Sequence, residues 1–276
     1  MSNPVLLLNG AAGAIGEAAV KRFSAEGWNV AVVSLSHPER LRELASDTVT
    51  PIDMDIRDAK SVKDGIASVE NSLGPIEAIV NNEGFVLAGS VEQLSLEELH
   101  RQFDLLVYSL VRVIQAALPL MRERGRGAIV NVSSVGGLFA FPSMGGYHSA
   151  RFAVEGLSEA LRLEVMPFGI RVKIIETAVA QSDFGFRIIR DNTHPANAIY
   201  GDTMRRYWLE IGAKLNSPST PEEIADAIFH AATDPSETLR HYVGEDIKHV
   251  MGEFRRRNYE DFANWMFRNG GDRENP

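Results

Sequence analysis

The most constraining feature of this sequence is its alternation of short, mostly apolar runs with longer segments of helical periodicity. The apolar runs are rich in Val, Ile and Leu and begin near residues 5, 30, 49, 78, 128, 171 and 239. Strands that carry apolar side chains on both faces are typical of a parallel sheet, because crossover helices cover each face. The sequence therefore predicts an α/β fold, a Rossmann-like doubly wound parallel sheet of about seven strands.

No repeat or linker divides the chain, so we expect a single domain over residues 1–276. Two capping boxes, Ser95–Glu98 and Thr220–Glu223, mark helix starts. Residues 178–219 follow the sixth strand, where open α/β sheets bind ligands, and we interpret them as an irregular substrate-binding lid. The alternative is a surface subdomain with its own small core. Residues 244–276 are predicted to form a C-terminal helical extension. The aromatic lid residues expected to contact substrate are Phe184, Phe186, Tyr207 and Trp208.

Composition excludes several classes of site and partner. The chain has no cysteine, so disulfides and thiolate chemistry are absent, and it carries a formal net charge of −9. An acidic balance without a basic patch argues against nucleic acid and anionic membranes. From the sequence, no apolar run approaches the roughly 18 residues of a membrane span, and no signal peptide is recognisable. We expect a cytoplasmic protein that binds no metal, because His148 has no metal-ligand spacing around it.

The segment NGAAGAIG at residues 9–16 joins the first strand to the first helix. Gly10 permits a tight turn, Gly13 lets the backbone approach a pyrophosphate, and Gly16 lets helix and strand pack closely. Dinucleotide binding is the favoured interpretation, and a turn without a ligand is the alternative. Asp55 follows the third strand, where its carboxylate is placed to accept from an adenine amino group. Residues 34–37, after the second strand, offer neither an acid nor an arginine, so NAD and NADP stay equally possible.

The chain resembles the short-chain dehydrogenase/reductase family from about residue 5 to residue 243. The motifs that carry the resemblance are the glycine turn, Asn81-Asn82-Glu83-Gly84, Asn131-Val132-Ser133-Ser134, Tyr147-x-x-x-Arg151, and residues 152–159 and 167–172. The resemblance implies that Ser134 polarises a substrate carbonyl and that Tyr147 gives or takes a proton. It also implies a homodimer or homotetramer that acts on an apolar small-molecule substrate. The implied cofactor-binding residues are Asn9, Gly10, Gly13, Ile15, Gly16, Asp55, Asn81, Gly84 and Ser182.

Several positions depart from the family pattern. Arg151 stands where the family has a lysine, and its guanidinium keeps a charge beside Tyr147 but cannot release a proton. Leu106 occupies the position of an asparagine that holds a water in the proton relay. Glu83, Ala14 and Ala178 differ where a dinucleotide would run.

Three hypotheses remain open at this point. The first is an oxidoreductase that uses NAD or NADP on a bulky apolar alcohol or ketone. The second is a non-redox enzyme, such as a lyase, isomerase, cyclase or dehalogenase, in which Tyr147 is the acid or base beside Arg151. The third is a catalytically silent subunit of a hetero-oligomer, paired through its helices.

Overall fold

The structure is a computed structural model that describes residues 3–35, 38–178, 180–181 and 196–267. Its centre is a seven-stranded sheet in the order β3-β2-β1-β4-β5-β6-β7, with every neighbouring pair parallel. This is the predicted doubly wound α/β architecture. The strands are β1 (Val5–Asn9), β2 (Asn29–Val33), β3 (Val49–Pro51), β4 (Ile76–Asn81), β5 (Gly127–Val132), β6 (Ile170–Thr177) and β7 (Arg240–Val243).

Ten α-helices among the described residues connect and cover the strands. They are α1 (Ala14–Ala25), α2 (Leu41–Leu44), α3 (Ala59–Ser72), α4 (Leu96–Phe103), α5 (Ser109–Arg124), α6 (Gly145–Val165), α7 (Ala196–Lys214), α8 (Pro221–Thr233), α9 (Glu245–Arg256) and α10 (Tyr259–Phe267). Both predicted capping boxes form, at α4 and α8. Two apolar clusters lie on opposite faces of the sheet, which explains why the strands carry apolar residues in both directions.

Two expectations about chain segments need correction. Within the predicted irregular lid, residues 196–214 are the helix α7. In addition, the continuous helical run Leu96–Arg124 is long and apolar enough to cross a bilayer by length and composition alone, contrary to the expectation that no run approaches that length. One such helix is weak evidence for a span, because core helices pass the same test. Here α5 packs against α3, β4 and β5, as a core helix does.

A π-helical turn, Asp104–Tyr108, joins α4 to α5. Such turns insert one extra residue into a helix and occur often at functional sites. Here the turn places Leu106, which is 3 % exposed, against the carboxyl end of the sheet. Topology brings the ends of β1, β4 and β5 together at that edge, so ligand-binding residues far apart in sequence meet there.

Candidate active site

Ser134, Tyr147 and Arg151 lie together at the carboxyl end of β5. Ser134 comes two residues after that strand, while Tyr147 and Arg151 stand one turn apart on the same face of α6. All three are buried, with 8 %, 6 % and 6 % of their surface exposed. They line one cavity of about 160 Å³. The structure therefore brings together the three side chains that the sequence placed in the catalytic site.

The guanidinium of Arg151 is held by two hydrogen bonds. Its Nε donates to the hydroxyl oxygen of Tyr147 at 3.0 Å, and its Nη1 donates to the carbonyl oxygen of Val132 at 2.6 Å. A Cβ built on Gly84 would stand 3.5 Å from Nη2 and 3.4 Å from a methyl carbon of Leu106. The positive charge of Arg151 is thus fixed beside the phenol of Tyr147. The apolar side chain of Leu106 lies close to the same guanidinium, near Gly84.

Ser134 begins a short 3-10 turn and accepts a hydrogen bond from the Gly136 amide at 3.2 Å. No described residue accepts the hydroxyl hydrogen of Ser134. The hydroxyl faces the cavity with its lone pair partly engaged, so it is suited to donate to an oxygen of a bound molecule. This geometry depends on the turn after β5 and could not be read from the 13-residue spacing alone.

His148, which the sequence analysis considered only as a metal ligand, also lines the cavity. Its Nδ1 lies 2.9 Å from the Gly136 carbonyl oxygen, which can only accept, so Nδ1 carries the proton. Its Nε2 is buried and has no partner among the described residues. Burial, together with the nearby positive charge of Arg151, lowers the pKa of His148 to about 4. The ring is therefore neutral at physiological pH.

The glycine turn has the close contacts that its sequence predicts. Gly10 has a φ of +73°, and a Cβ there would stand 2.6 Å from the amide nitrogen of Glu83. A Cβ on Gly16 would come within 2.1 Å of the Gly10 carbonyl oxygen. Nothing lies within 4 Å of a Cβ on Gly13, the N-cap of α1, which makes no side-chain capping bond. The N-cap position of α1 therefore leaves space for a ligand, as an anion-binding helix end requires.

A chain of buried amides crosses the sheet at the ends of β1, β4 and β5. Asn9 donates to Asn81 at 2.7 Å, Asn81 donates to Asn131 at 2.8 Å, and Asn131 donates to Ser158 at 2.8 Å. The predicted cofactor-binding residues Asn9 and Asn81 thus use their side chains to hold the strand ends in register. Their amide groups position the surrounding loops, a role that became visible only in three dimensions.

The remaining predicted residues divide into three groups. Ile15 and Trp208 line the cavity, whereas Tyr207 packs against Phe267 with ring centroids 5.7 Å apart. Asp55 is bound by Arg57, whose Nη2 donates at 2.8 Å, and this hydrogen bond lowers the pKa of Asp55. Ser182, Phe184 and Phe186 lie outside the described residues.

Most of the apolar wall of the cavity escaped the sequence analysis. The wall residues come from several helices, strands and loops. The apolar periodicity of each segment predicts that these residues are buried, but not that they line a cavity. The aromatic run after β5 was the one available signal, because Phe139 and Phe141 stand in a turn where strongly apolar residues are unusual. The apolar lining residues are Val86, Val132, Val135, Phe141, Met144, Ile211 and Leu215.

A cluster of charged residues lies behind the cavity, between α6, β6 and β7. Glu155 accepts from Arg240 at 2.9 Å, and Glu176 Oε1 is 3.5 Å from Arg240 Nε. Glu176 is fully buried. Burial, and then the neighbouring Glu155 carboxylate, raise the pKa of Glu176 to about 9. A proton is therefore held on Glu176 at neutral pH, one residue before the cavity-lining Thr177.

Comparisons with known proteins agree with this architecture. An uncharacterized oxidoreductase of Schizosaccharomyces pombe is 31 % identical over 205 residues, covering 74 % of this chain and 86 % of its own. A 3-ketodihydrosphingosine reductase of Bacteroides thetaiotaomicron is 28 % identical and covers 88 % and 89 %. The crystal structure of a short-chain dehydrogenase from Streptomyces avermitilis superposes with a TM-score of 0.79 at 31 % identity, covering 92 % and 94 %.

A family model described as short chain dehydrogenase matches residues 4–192, which include the glycine turn, the serine after β5 and the tyrosine of α6. The match spans more than half of the chain and ends within the segment that precedes α7. On this evidence the chain belongs to the short-chain dehydrogenase family of oxidoreductases.

Proposed function

We propose that the protein is an oxidoreductase that uses NAD(H) or NADP(H) on a bulky apolar alcohol or ketone. One observation carries the proposal. The cavity that holds Ser134 and Tyr147, with Arg151 bonded to the phenol at 3.0 Å, is also lined by Ile15 of the glycine turn. A dinucleotide whose pyrophosphate rests on the first turn of α1 would extend from that turn into this cavity.

The residues present fit a dinucleotide along this path. Gly10 and Gly16 allow close packing of the turn, and the open space at Gly13 leaves the helix end accessible to an anion. Gly84 borders the guanidinium of Arg151, and Asn82 contributes to the cavity wall beside Ile15. A nicotinamide bound there supplies or accepts the hydride.

The chain's own groups would handle the oxygen and its proton. Ser134 donates a hydrogen bond to the carbonyl oxygen of the substrate, because no described residue accepts its hydroxyl hydrogen. Tyr147 delivers the proton to that oxygen in reduction and removes it in oxidation. The adjacent Arg151 charge stabilises the phenol oxygen when its proton is gone.

The walls of the cavity support a bulky apolar substrate. Phe141, Met144 and Trp208 meet over the site, and Ile211 and Leu215 of α7 extend the same surface. Most of the lining residues are apolar, so binding would depend on apolar burial and on the oxygen held by Ser134. The relative named as a 3-ketodihydrosphingosine reductase supports a ketone of this kind.

A non-redox enzyme on the same scaffold is the second candidate, and the relay position favours it. Leu106 is buried where a polar relay side chain would be needed, and the Val132 carbonyl engages the guanidinium of Arg151. A Tyr147–Arg151 pair can still act as an acid or base without any nucleotide. The two candidates differ in whether a nucleotide is required for turnover.

Titration of the purified protein with NADH and NADPH, followed by calorimetry, tests the proposal. We expect one of them to bind at micromolar concentration and to reduce apolar ketones. The matched variant Tyr147→Phe should bind the nucleotide equally well and lose turnover by at least about a hundredfold. No binding at millimolar nucleotide would overturn the proposal. Turnover without nucleotide, lost in Tyr147→Phe, would then establish the non-redox enzyme, and no turnover at all would favour the silent subunit.

We also propose a cytoplasmic homodimer or homotetramer. Members of the short-chain dehydrogenase family associate through the two long helices that correspond to α5 and α6. Apolar side chains are exposed on these helices or at their ends. Tyr108 is 48 % exposed at the start of α5, and Phe152 and Leu163 on α6 are 45 % and 63 % exposed. Light scattering on the eluted protein measures the mass, and a monomer at micromolar concentration would contradict the proposal.

A further inference from the structure

Glu83 occupies a position from which a carboxylate reaches across the glycine turn. It lies in the loop after β4, and its amide donates to Asn9 Oδ1 at 3.1 Å, beside the Asn82 amide at 2.9 Å. Its Oε2 accepts from the backbone amide of Leu35, just after β2, at 3.4 Å. Since β1 lies between β4 and β2, the side chain of Glu83 spans the carboxyl end of β1.

The backbone under this carboxylate is held firmly in place. The Asn82 side chain donates to the Gly10 carbonyl at 2.9 Å. The Glu83 amide nitrogen packs so closely on Gly10 that a Cβ there would stand 2.6 Å away. The loop after β4 and the glycine turn therefore form one unit. The half-buried Glu83 side chain projects from that unit toward the end of β2.

The end of β2 is where dinucleotide-binding sheets distinguish their ligands. An acid there accepts hydrogen bonds from the adenosine ribose hydroxyls of NAD, whereas an arginine accommodates the 2′-phosphate of NADP. Residues 34–37 of this chain contain no acid and no arginine. We propose that Glu83 supplies the missing acid from β4, accepts from the ribose hydroxyls, and selects NAD(H) over NADP(H). This inference rests on the proposed dinucleotide-dependent function.

Charge favours the same choice. A 2′-phosphate beside Glu83 would bring like charges together in a partly desolvated place, which opposes binding. Of the three arginines described after β2 and β3, Arg40 and Arg57 are already paired. Arg40 donates to Glu17, and Arg57 forms an ion pair with Asp55 at 2.8 Å. A 2′-phosphate would have to compete with these carboxylates for either cation.

The test compares nucleotide binding by the wild-type protein and by Glu83→Gln. Calorimetric titrations use NADH and NADPH, and also 5′-ADP and 2′,5′-ADP, which contain only the adenosine end. The matched control is Glu77→Gln, which removes a carboxylate near the start of β4, at the opposite end of the strand that Glu83 follows, and paired with Arg126. We expect the wild type and the control to bind NADH at least about tenfold tighter than NADPH. In Glu83→Gln the ratio should fall below about threefold, mainly because NADPH binds better.

The outcomes separate the inference from the proposed function. Binding of NADH with an unchanged ratio in Glu83→Gln, or a wild-type preference for NADPH, overturns the inference alone. Binding that appears only in Glu83→Gln also overturns it, because the carboxylate would then be an obstruction. Absence of binding of all four nucleotides to both proteins overturns the proposed function as well. A 5′-ADP preference that disappears in Glu83→Gln supports the inference independently of the nicotinamide end.

Discussion

The substitution Glu176→Gln should stabilise the protein, and the gain should depend on pH. Glu176 is fully buried, and neither of its oxygens accepts a hydrogen bond from a described residue, although Arg240 Nε lies 3.5 Å from Oε1. Its pKa is raised from 4.5 to about 9, first by burial and then by the Glu155 carboxylate. In the unfolded chain the same group ionises near pH 4.5. Folding above that pH therefore requires uptake of a proton, and the wild type loses stability as the pH rises from 4.5 towards 9.

The size of the effect follows from this linkage. Each pH unit between the two pKa values contributes about 1.4 kcal/mol, so the wild type gives up at most about 3 kcal/mol at pH 7. The pKa of about 9 already includes the positive charges of Arg240 and Arg151, which oppose the rise. We therefore expect a stabilisation of about 1 to 3 kcal/mol for Glu176→Gln at pH 7. The gain should vanish near pH 4.5, where both side chains are neutral and of similar shape.

Urea unfolding followed by tryptophan fluorescence at pH 5, 6, 7, 8 and 9 measures this difference. The matched control is Glu159→Gln, which removes a 56 % exposed carboxylate bonded to the same Arg240. The control should change the unfolding free energy by less than about 1 kcal/mol, equally from pH 6 to 9. A constant offset between Glu176→Gln and wild type at every pH would refute the reasoning, because it would mean that Glu176 ionises normally in the folded protein.

Three further predictions concern the cavity and the glycine turn. The double substitution Arg151→Lys and Leu106→Asn restores the side chains of the family's proton relay, so nicotinamide-dependent turnover should rise at least about tenfold in steady-state assays. A loss of turnover would show that the arginine is required. Relative to His148→Asn, the wild type should lose up to about 3 kcal/mol of unfolding free energy from pH 6.5 to 4, because the pKa of His148 is about 4 and protonation favours the unfolded chain. Equal pH slopes of the two proteins in urea titrations would contradict the assignment. Gly16→Ala should destabilise the fold by about 1 to 3 kcal/mol, because its Cβ would stand 2.1 Å from a backbone oxygen. Gly13→Ala should keep the thermal stability of the wild type and weaken NADH binding. Equal stability of the two variants in thermal unfolding would refute the packing argument.

The sequence determined the sheet and its order of elements because these depend on local patterns. Apolar runs with residues buried on both sides predict parallel strands, and the boxes at Ser95 and Thr220 predict helix starts from neighbouring residues alone. The spacing of Ser134, Tyr147 and Arg151 identified a candidate site for a similar reason. Tyr147 and Arg151 share one helix face because they are four residues apart. Ser134 belongs to a sequence motif that follows a strand in the family that the chain resembles.

Other features depended on contacts between distant segments, which no local pattern records. The helical α7 within the expected irregular lid and the π-helical turn carrying Leu106 are set by packing against the rest of the fold. The high pKa of Glu176 comes first from its burial in the assembled fold and then from the Glu155 carboxylate, which lies on another element.

The reach of Glu83 to Leu35 shows the same limit at the candidate nucleotide site. The two residues are 48 positions apart and meet because β1 lies between β2 and β4 in the sheet. From the sequence, Glu83 was only a departure from a family motif, and residues 34–37 only lacked an acid. The sequence thus determined which groups the chain carries and which strands they follow. Tertiary structure decided which of those groups face one another, since the strand order, and not the chain order, sets the distances at the carboxyl edge.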